Sequence, residues 1–261
     1  MLYTPKDITI IVTSYNKSAT IRDCLLSILE QSCPPKTIIV IDDFSDDIEL
    51  TTNIINTLNT NNKIKIDLIL NSKNIGPGLS RNRAWQYCKT SLVAFLDGDD
   101  LYLKNKLKYQ IEIFNQFPEV SIVSGNKLFR NEKHNNKMDI SKIKYLNFYK
   151  MLFINIVATS SVLIKSNLKN RFNDTYRGED YYLWLLTLYE NNVIIHIRSN
   201  LCIQNQNYRY KNNLSSGFIK MEIEIHKVLI KYYSKNPKLS FIILFAQIFS
   251  LLKLIRRIFL K

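Results

Sequence analysis

Residues 93–100 read Val-Ala-Phe-Leu-Asp-Gly-Asp-Asp: four apolar residues run directly into three carboxylates, Asp97, Asp99 and Asp100, with one glycine among them. Carboxylates crowded at a strand end repel one another and lose hydration, so they persist where a cation or a set of hydrogen-bond donors compensates them. Hard oxygen ligands of this kind suit Mg²⁺ or Mn²⁺, which keep several waters and take their remaining ligands from substrate phosphates. The chemistry implied is a metal-diphosphate site. The same residues also read as an acidic turn capping a helix over 103–117, because carboxylates favour a helix N-terminus. Taken alone, the stretch leaves both readings open.

The elements that must position these acids alternate along the chain. Ile8 to Val12 is a β-branched apolar run ending in Thr13-Ser14-Tyr15-Asn16, which predicts a buried strand and a polar loop. A helix follows, capped by Ser18 or Thr20, with Ile21, Leu25, Ile28 and Leu29 on one face and Cys33-Pro34-Pro35 as its stop. Thr37 to Ile41 is a second strand ending in Asp42, Asp43, Asp46 and Asp47. A helix over 48–58, a strand over 64–70, a helix over 79–88 and a strand over 91–96 continue the alternation. That pattern predicts an α/β protein with a doubly wound, mostly parallel sheet and helices on both faces.

Ligands of such sheets bind at the carboxyl ends of the strands. The polar clusters at 13–16, 42–47 and 97–100 each follow a strand, so they line one edge and build a single cleft rather than three unrelated caps. Asn74-Ile75-Gly76-Pro77-Gly78-Leu79-Ser80-Arg81-Asn82-Arg83 adds glycines that let backbone approach phosphate, a helix start with free N–H groups, and two arginines able to clamp a diphosphate.

Thr-Ser-Tyr-Asn after the first strand, Ile-Asp-Asp-Phe-Ser-Asp-Asp after the second, Asn-Ile-Gly-Pro-Gly-Leu-Ser-Arg-Asn and Phe-Leu-Asp-Gly-Asp-Asp, in this order and spacing, resemble glycosyltransferase family 2, of the GT-A fold. The likeness is close over the first half and looser to about residue 216. It implies a transferase domain over 1–216, with a nucleotide-sugar-binding half at 1–117 and an acceptor-binding half at 118–216. It also implies a nucleotide-diphosphate sugar donor, usually a uridine one, and Mn²⁺ or Mg²⁺ as cofactor. By matched position, Thr13 and Tyr15 line the nucleoside pocket, Asp43 accepts from the base ring N–H, and Arg81 faces the diphosphate. Asp97 and Asp99 form the family's D-x-D pair, with Asp99 the direct metal ligand, and Asp100 is left to cap the next helix.

In the second half, residues 120–125 read as a strand, 126–141 as a polar surface loop, 143–156 as apolar at helical spacing, and 158–164 as a strand opening with Thr159, Ser160 and Ser161. The resemblance makes Thr159 and Ser160 acceptor-side residues; on their own they are hydroxyls at an ordinary strand start. Glu179 and Asp180 open an apolar helix reaching Tyr189, where the dipole alone explains them. The family's Glu-Asp motif falls there, which implies Asp180 as the general base of an inverting transfer and Glu179 as an acceptor-orienting residue. Residues 193–197 and 201–206 predict two short strands. The loop at 208–216 resembles one that closes over donor phosphates, with Arg209 and Ser215 as contacts; its other reading is a solvated basic loop. Residues 218–234 read as a helix.

Residues 217–261 form a C-terminal helical region. The apolar run over 239–252 has 14 residues, short of the roughly 20 that cross a bilayer. As a helix, 239–261 carries a narrow stripe of Ser240, Gln247, Ser250, Lys253, Arg257 and Lys261 beside a wide apolar surface. This amphipathic helix predicts an anchor on an anionic membrane surface, or alternatively a helix packed on the domain with a basic tip. A lipid-linked saccharide acceptor fits the first reading. Lysine and arginine exceed the acids by 36 − 22 = 14, which favours anionic partners. Acids at every strand end and the absence of a helix-turn-helix or aromatic-basic pattern argue against nucleic acid. A sugar-nucleotide nucleotidyltransferase would carry a Gly-rich basic loop where this chain has Thr-Ser-Tyr-Asn. Cys24, Cys33, Cys88 and Cys202 form no C-x-x-C pair and read as inert thiols, and the N-terminal residues lack a secretory pattern. The expected location is cytoplasmic, peripheral at the inner face of the plasma membrane.

Overall fold

A computed structural model describes residues 2–129, 142–174, 178–204, 223, 226–231 and 240–259, with side chains of the last segment from residue 241 to 255. Its elements are β1 (Ile8–Ser14), α1 (Ser18–Leu29), β2 (Thr37–Asp42), α2 (Ile48–Asn61), β3 (Ile66–Leu70), α3 (Pro77–Trp85), β4 (Leu92–Asp97), β5 (Leu101–Tyr102), α4 (Lys106–Gln116), β6 (Val120–Phe129), β7 (Ile143–Tyr145), α5 (Phe148–Phe153), β8 (Leu163–Lys165), α6 (Glu179–Tyr189), β9 (Val193–Gln204) and α7 (Ser240–Phe259).

One sheet runs β3-β2-β1-β4-β8-β6-β9-β5, with β7 also on β9. The first four strands are parallel, as the alternation predicts. β8 is antiparallel to both β4 and β6, β9 is parallel to β6, and β5 and β7 are antiparallel to β9. Successive residues of a strand face opposite sides, so Ile10, Val12, Ile38 and Val40 pack with Ile21, Leu25, Ile28, Ile55 and Phe114 of α1, α2 and α4. Ile11, Ile39, Ile41 and Phe95 pack with Trp85 of α3, Met151 of α5 and Trp184 of α6 on the other side.

Several expectations for the second half change. Residues 143–156 divide into β7 and the short α5, because three residues pair along β9 before the helix begins. Thr159–Ser161 is a 3-10 turn rather than a strand opening, and β8 starts two residues later. The two strands expected over 193–206 are one, β9, which absorbs the polar Arg198-Ser199-Asn200 as register shifts against β6. The expected helix at 103–117 starts later, at Lys106, because Leu101–Tyr102 pairs with β9. Residues 126–129, expected to begin a surface loop, extend β6, and residues 130–141 lie outside the described residues. Within the predicted helix at 218–234, residues 223 and 226–231 are helical.

α7 packs on the domain, the second of the two readings of the C-terminal segment. Ile243 and Ala246 enter the core beside α5, Ser250 is buried, and Lys253 Nζ donates to the carbonyl of Phe153 at 2.7 Å. Ser250 and Lys253 of the polar stripe therefore turn toward the protein. Phe241, Phe245 and Leu252 face outward, 80%, 62% and 58% exposed. Among the described residues, no helix is long and apolar enough to cross a membrane.

Candidate active site

The β1/β4 register sets Thr13 beside Asp97, and the β1/β2 register sets Ser14 beside Asp42, so the three strand ends do share one edge. The loops between them are stitched by backbone. Gly98 N donates to Thr13 O at 2.8 Å, Asp43 N to Ser14 O at 2.8 Å, and Thr20 Oγ1 to Gly98 O at 2.9 Å. A Cβ on Gly98 would come within 2.9 Å of Thr13 O, so only glycine lets the acidic turn lie this close to the end of β1. Asn16, with φ 53°, accepts from Asp46 N, and its own N–H donates to Ser45 Oγ, which binds the first loop to the second.

The acids are compensated by the chain itself. Arg81, buried on α3, donates to Asp97 Oδ1 at 2.6 Å and to Glu179 Oε1 at 2.9 Å, while its guanidinium lies 5.1 Å from the Phe172 ring centroid. Thr13 Oγ1 adds a 3.2 Å bond to Asp97 Oδ1. Lys17 Nζ meets Asp99 Oδ2 at 2.6 Å. Asp100 caps no helix: α4 has Asn105 at that position, and Asp100 is buried as the acceptor of Ser160 Oγ at 2.6 Å. Asp97 N donates in turn to Ser160 Oγ at 3.4 Å.

The second carboxylate pair stands on the first turn of α6, entered through Gly178 in the left-handed region, φ 77°. Glu179 reaches back to Arg81. Asp180 accepts from Thr159 Oγ1 at 3.0 Å and from Tyr181 N at 2.7 Å. A single network thus joins Thr13, Asp97, Arg81 and Glu179, with Asp180 next along the chain and bonded to Thr159.

Burial pushes Asp180 above the ordinary carboxylate range, although Arg81 and the Thr159 hydroxyl pull the other way. Burial likewise raises Glu179, against the attraction of Arg81. At Asp97 burial would also raise the pKa, but Arg81 outweighs it and the carboxyl is held low. The arginine, whose burial opposes charge, is kept charged by Asp97 and Glu179. The site therefore holds a carboxylate kept low at Asp97 and a more basic one at Asp180.

Asp43 is buried, with Oδ1 accepting from Asn71 Nδ2 and Ile75 N at 2.8 and 2.9 Å and Oδ2 from Gly76 N at 2.8 Å. It fastens the entrance of α3 to the end of β2. Arg83 donates to Leu70 O and Asn71 Oδ1, at the end of β3. Gly78 is not open to a ligand: a Cβ there would meet Asn173 O at 2.7 Å and Glu179 Cγ at 2.8 Å, so it serves the contact of α3 with α6. Tyr15 is 47% exposed at the rim. Asp47 Oδ2 accepts from Ser18 N and so supplies the α1 cap expected from Ser18 or Thr20. Arg209 and Ser215 lie outside the described residues. Sequence reasoning missed Lys17, Asn71 and Phe172, whose partners are distant in the chain and leave no local pattern.

The described residues contain no cluster of three His, Cys, Asp or Glu side chains placed to hold a metal. A cation held through one or two carboxylates and substrate phosphates requires fewer. Asp97 and Asp99 fit that mode, since Asp97 Oδ2 and Asp99 Oδ1 accept no hydrogen bond from the described residues.

A mixed α/β sheet, mostly parallel and covered by helices, is the architecture of GT-A glycosyltransferases, and solved structures of that fold superpose on it. A mannosyltransferase from Pyrobaculum calidifontis in complex with GDP-Man and Mn²⁺ matches 95% of this chain and 73% of its own, with TM-score 0.69 and 17% identity. Residues 1–349 of Staphylococcus aureus TarS in complex with UDP-GlcNAc match 86% of this chain and 66% of their own, with TM-score 0.64 and 18% identity. The chain belongs to glycosyltransferase family 2, whose family model, "Glycosyl transferase family 2", matches residues 9–168. A relative from Escherichia coli, the UDP-Glc:alpha-D-GlcNAc-diphosphoundecaprenol beta-1,3-glucosyltransferase WfgD, is 31% identical over 196 residues, 71% of each chain. The putative teichuronic acid biosynthesis glycosyltransferase TuaG of Bacillus subtilis is 34% identical over 105 residues, 40% of each.

Proposed function

We propose that this glycosyltransferase is metal-dependent and inverting, and moves a sugar from a UDP-linked donor to a hydroxyl of a lipid-linked glycan acceptor in surface-polysaccharide synthesis. The observation that carries the reading is Arg81, which ties Asp97, at the end of β4, to Glu179, next to Asp180. The activity that WfgD's name describes supports a UDP donor and a polyprenyl-diphosphate-linked acceptor.

In this reading Thr13 and Tyr15 line the nucleoside pocket. Asp43 fixes the pocket floor through the 75–76 backbone and offers its remaining lone pair to the base ring. Asp97 and Asp99 would hold Mn²⁺ or Mg²⁺, which would supply positive charge to stabilise the departing diphosphate. Arg81 fixes the orientation of Asp97 and Glu179 and contributes its charge to the diphosphate side. Asp180, raised in basicity by burial and oriented by Thr159, takes the proton of the acceptor hydroxyl as that oxygen attacks the anomeric carbon from the face opposite the leaving group. Glu179 and Ser160 shape the acceptor side. One in-line displacement converts an α-linked donor into a β-linked product.

α7 supports a peripheral location at the inner face of the plasma membrane. A helix that turns Ser250 and Lys253 to the protein and Phe241, Phe245 and Leu252 to the outside leaves an apolar surface whose natural cover is lipid. Lys253 is committed to Phe153 O, so attraction to anionic headgroups falls to the basic residues after it in the sequence, Arg256, Arg257 and Lys261.

The test is a transfer assay with a panel of UDP-sugars and a polyprenyl-diphosphate-linked saccharide, with Mn²⁺ or with chelator. Metal-dependent formation of a β-linked product is expected. An α-linked product, or full transfer in chelator, overturns the reading.

A further inference from the structure

Asp99 is occupied by a cation that belongs to the chain. Lys17 immediately precedes α1, and its carbonyl accepts from Thr20 N and Ile21 N at 2.9 and 2.8 Å, so its backbone is set by the start of that helix. The acidic turn is brought to it. Gly98 N bonds to Thr13 O and Gly98 O accepts from Thr20 Oγ1, and a Cβ at Gly98 would lie 3.4 Å from Lys17 Cβ. The resulting Lys17 Nζ to Asp99 Oδ2 distance is 2.6 Å, with the two side chains 24% and 21% exposed. A partly sheltered, charge-assisted pair of this length is stronger than a solvent-exposed one.

We propose that Lys17 is the resident counter-cation of Asp99: it gives the carboxylate up when a divalent cation binds and moves to the nucleotide's diphosphate. The inference rests on the metal-diphosphate reading of Asp97 and Asp99. Two consequences follow from charge alone. Without nucleotide, Lys17 competes for the ligand and its ammonium repels the incoming ion, so metal binding is weak. With nucleotide, the released ammonium gains a phosphate partner, so metal and nucleotide strengthen each other, and the coupling is reciprocal. A site arranged this way loads metal together with donor. Arg81 does not share the role, because its two carboxylate partners hold it inside the fold.

The test is calorimetric titration of the full chain with Mn²⁺, with and without UDP, for wild type, Lys17→Gln, Lys17→Arg and Asp99→Asn. In Lys17→Gln, Mn²⁺ without UDP is expected to bind about fivefold tighter than in wild type, as loss of a competing ion pair of ~1 kcal/mol implies. The factor by which UDP tightens Mn²⁺ is expected to shrink. Lys17→Arg keeps the charge and is expected to behave as wild type, and it serves as the folded comparison. Unchanged or weaker metal affinity in Lys17→Gln without UDP overturns the inference while leaving the site reading intact. Absence of Mn²⁺ binding by wild type with UDP, or wild-type binding by Asp99→Asn, overturns the site reading itself.

Discussion

Asp180 is held by two hydrogen bonds in a half-buried position, and the pull between burial and those donors sets its basicity. A group whose pKa rises on folding adds stability at acid pH and loses it as pH climbs through the folded pKa, so an ionised Asp180 is a burden at neutral pH. Thr159→Val removes the hydroxyl that favours the carboxylate. The acid limb of the kcat/KM profile is then expected to move to higher pH, by about one unit for a bond of ~1.4 kcal/mol. The pH dependence of transfer checks this, and an unmoved limb would separate Thr159 from the proton transfer. The acids of the D-x-D pair were legible in the sequence as a cost needing compensation. Which groups compensate them was not. Lys17, Arg81 and Ser160 lie 82, 16 and 60 residues from their partners Asp99, Asp97 and Asp100, and no local pattern encodes contacts that only the sheet brings together.

At the scale of elements, the parallel half of the sheet was readable because β1, β2 and β4 are mostly apolar runs and α1 and α2 repeat an apolar face. The second half was less so. The polar interruption at 198–200 looks like a break between two strands and is a set of register shifts inside one. The hydroxyls at 159–161 look like a strand start and form a turn that aims Thr159 at Asp180 and Ser160 at Asp100. Gly78 was read as a phosphate-approach residue, yet its missing side chain is filled by α6. Gly78→Ala is therefore expected to destabilise the fold by about 1–3 kcal/mol, the usual cost of forcing a methyl into a packed contact. Chemical denaturation measures this. A neutral effect would mean that α3 and α6 are not in register through that glycine.

For the whole molecule, α7 packs through Ile243, Ala246 and Ser250 and turns outward what a water-facing helix would hide. The sequence showed an amphipathic helix but not which side would meet the protein, because both sides contain residues able to pack. Replacing Phe241, Phe245 and Leu252 together by Ser removes exposed apolar surface without touching the buried face. Sedimentation with anionic phospholipid vesicles is expected to fall to background, while the melting temperature stays within a few degrees. Undiminished sedimentation would place membrane affinity elsewhere.

The proposed chemistry requires that Asp180, joined through Glu179 and Arg81 to Asp97, removes the acceptor's proton. The direct measurement is transfer by Asp180→Asn, read beside UDP binding and the melting temperature of the same protein. Transfer is expected to fall by about 10²-fold or more, with UDP affinity retained and a melting temperature no lower than wild type. Transfer near the wild-type rate in this variant would contradict the account.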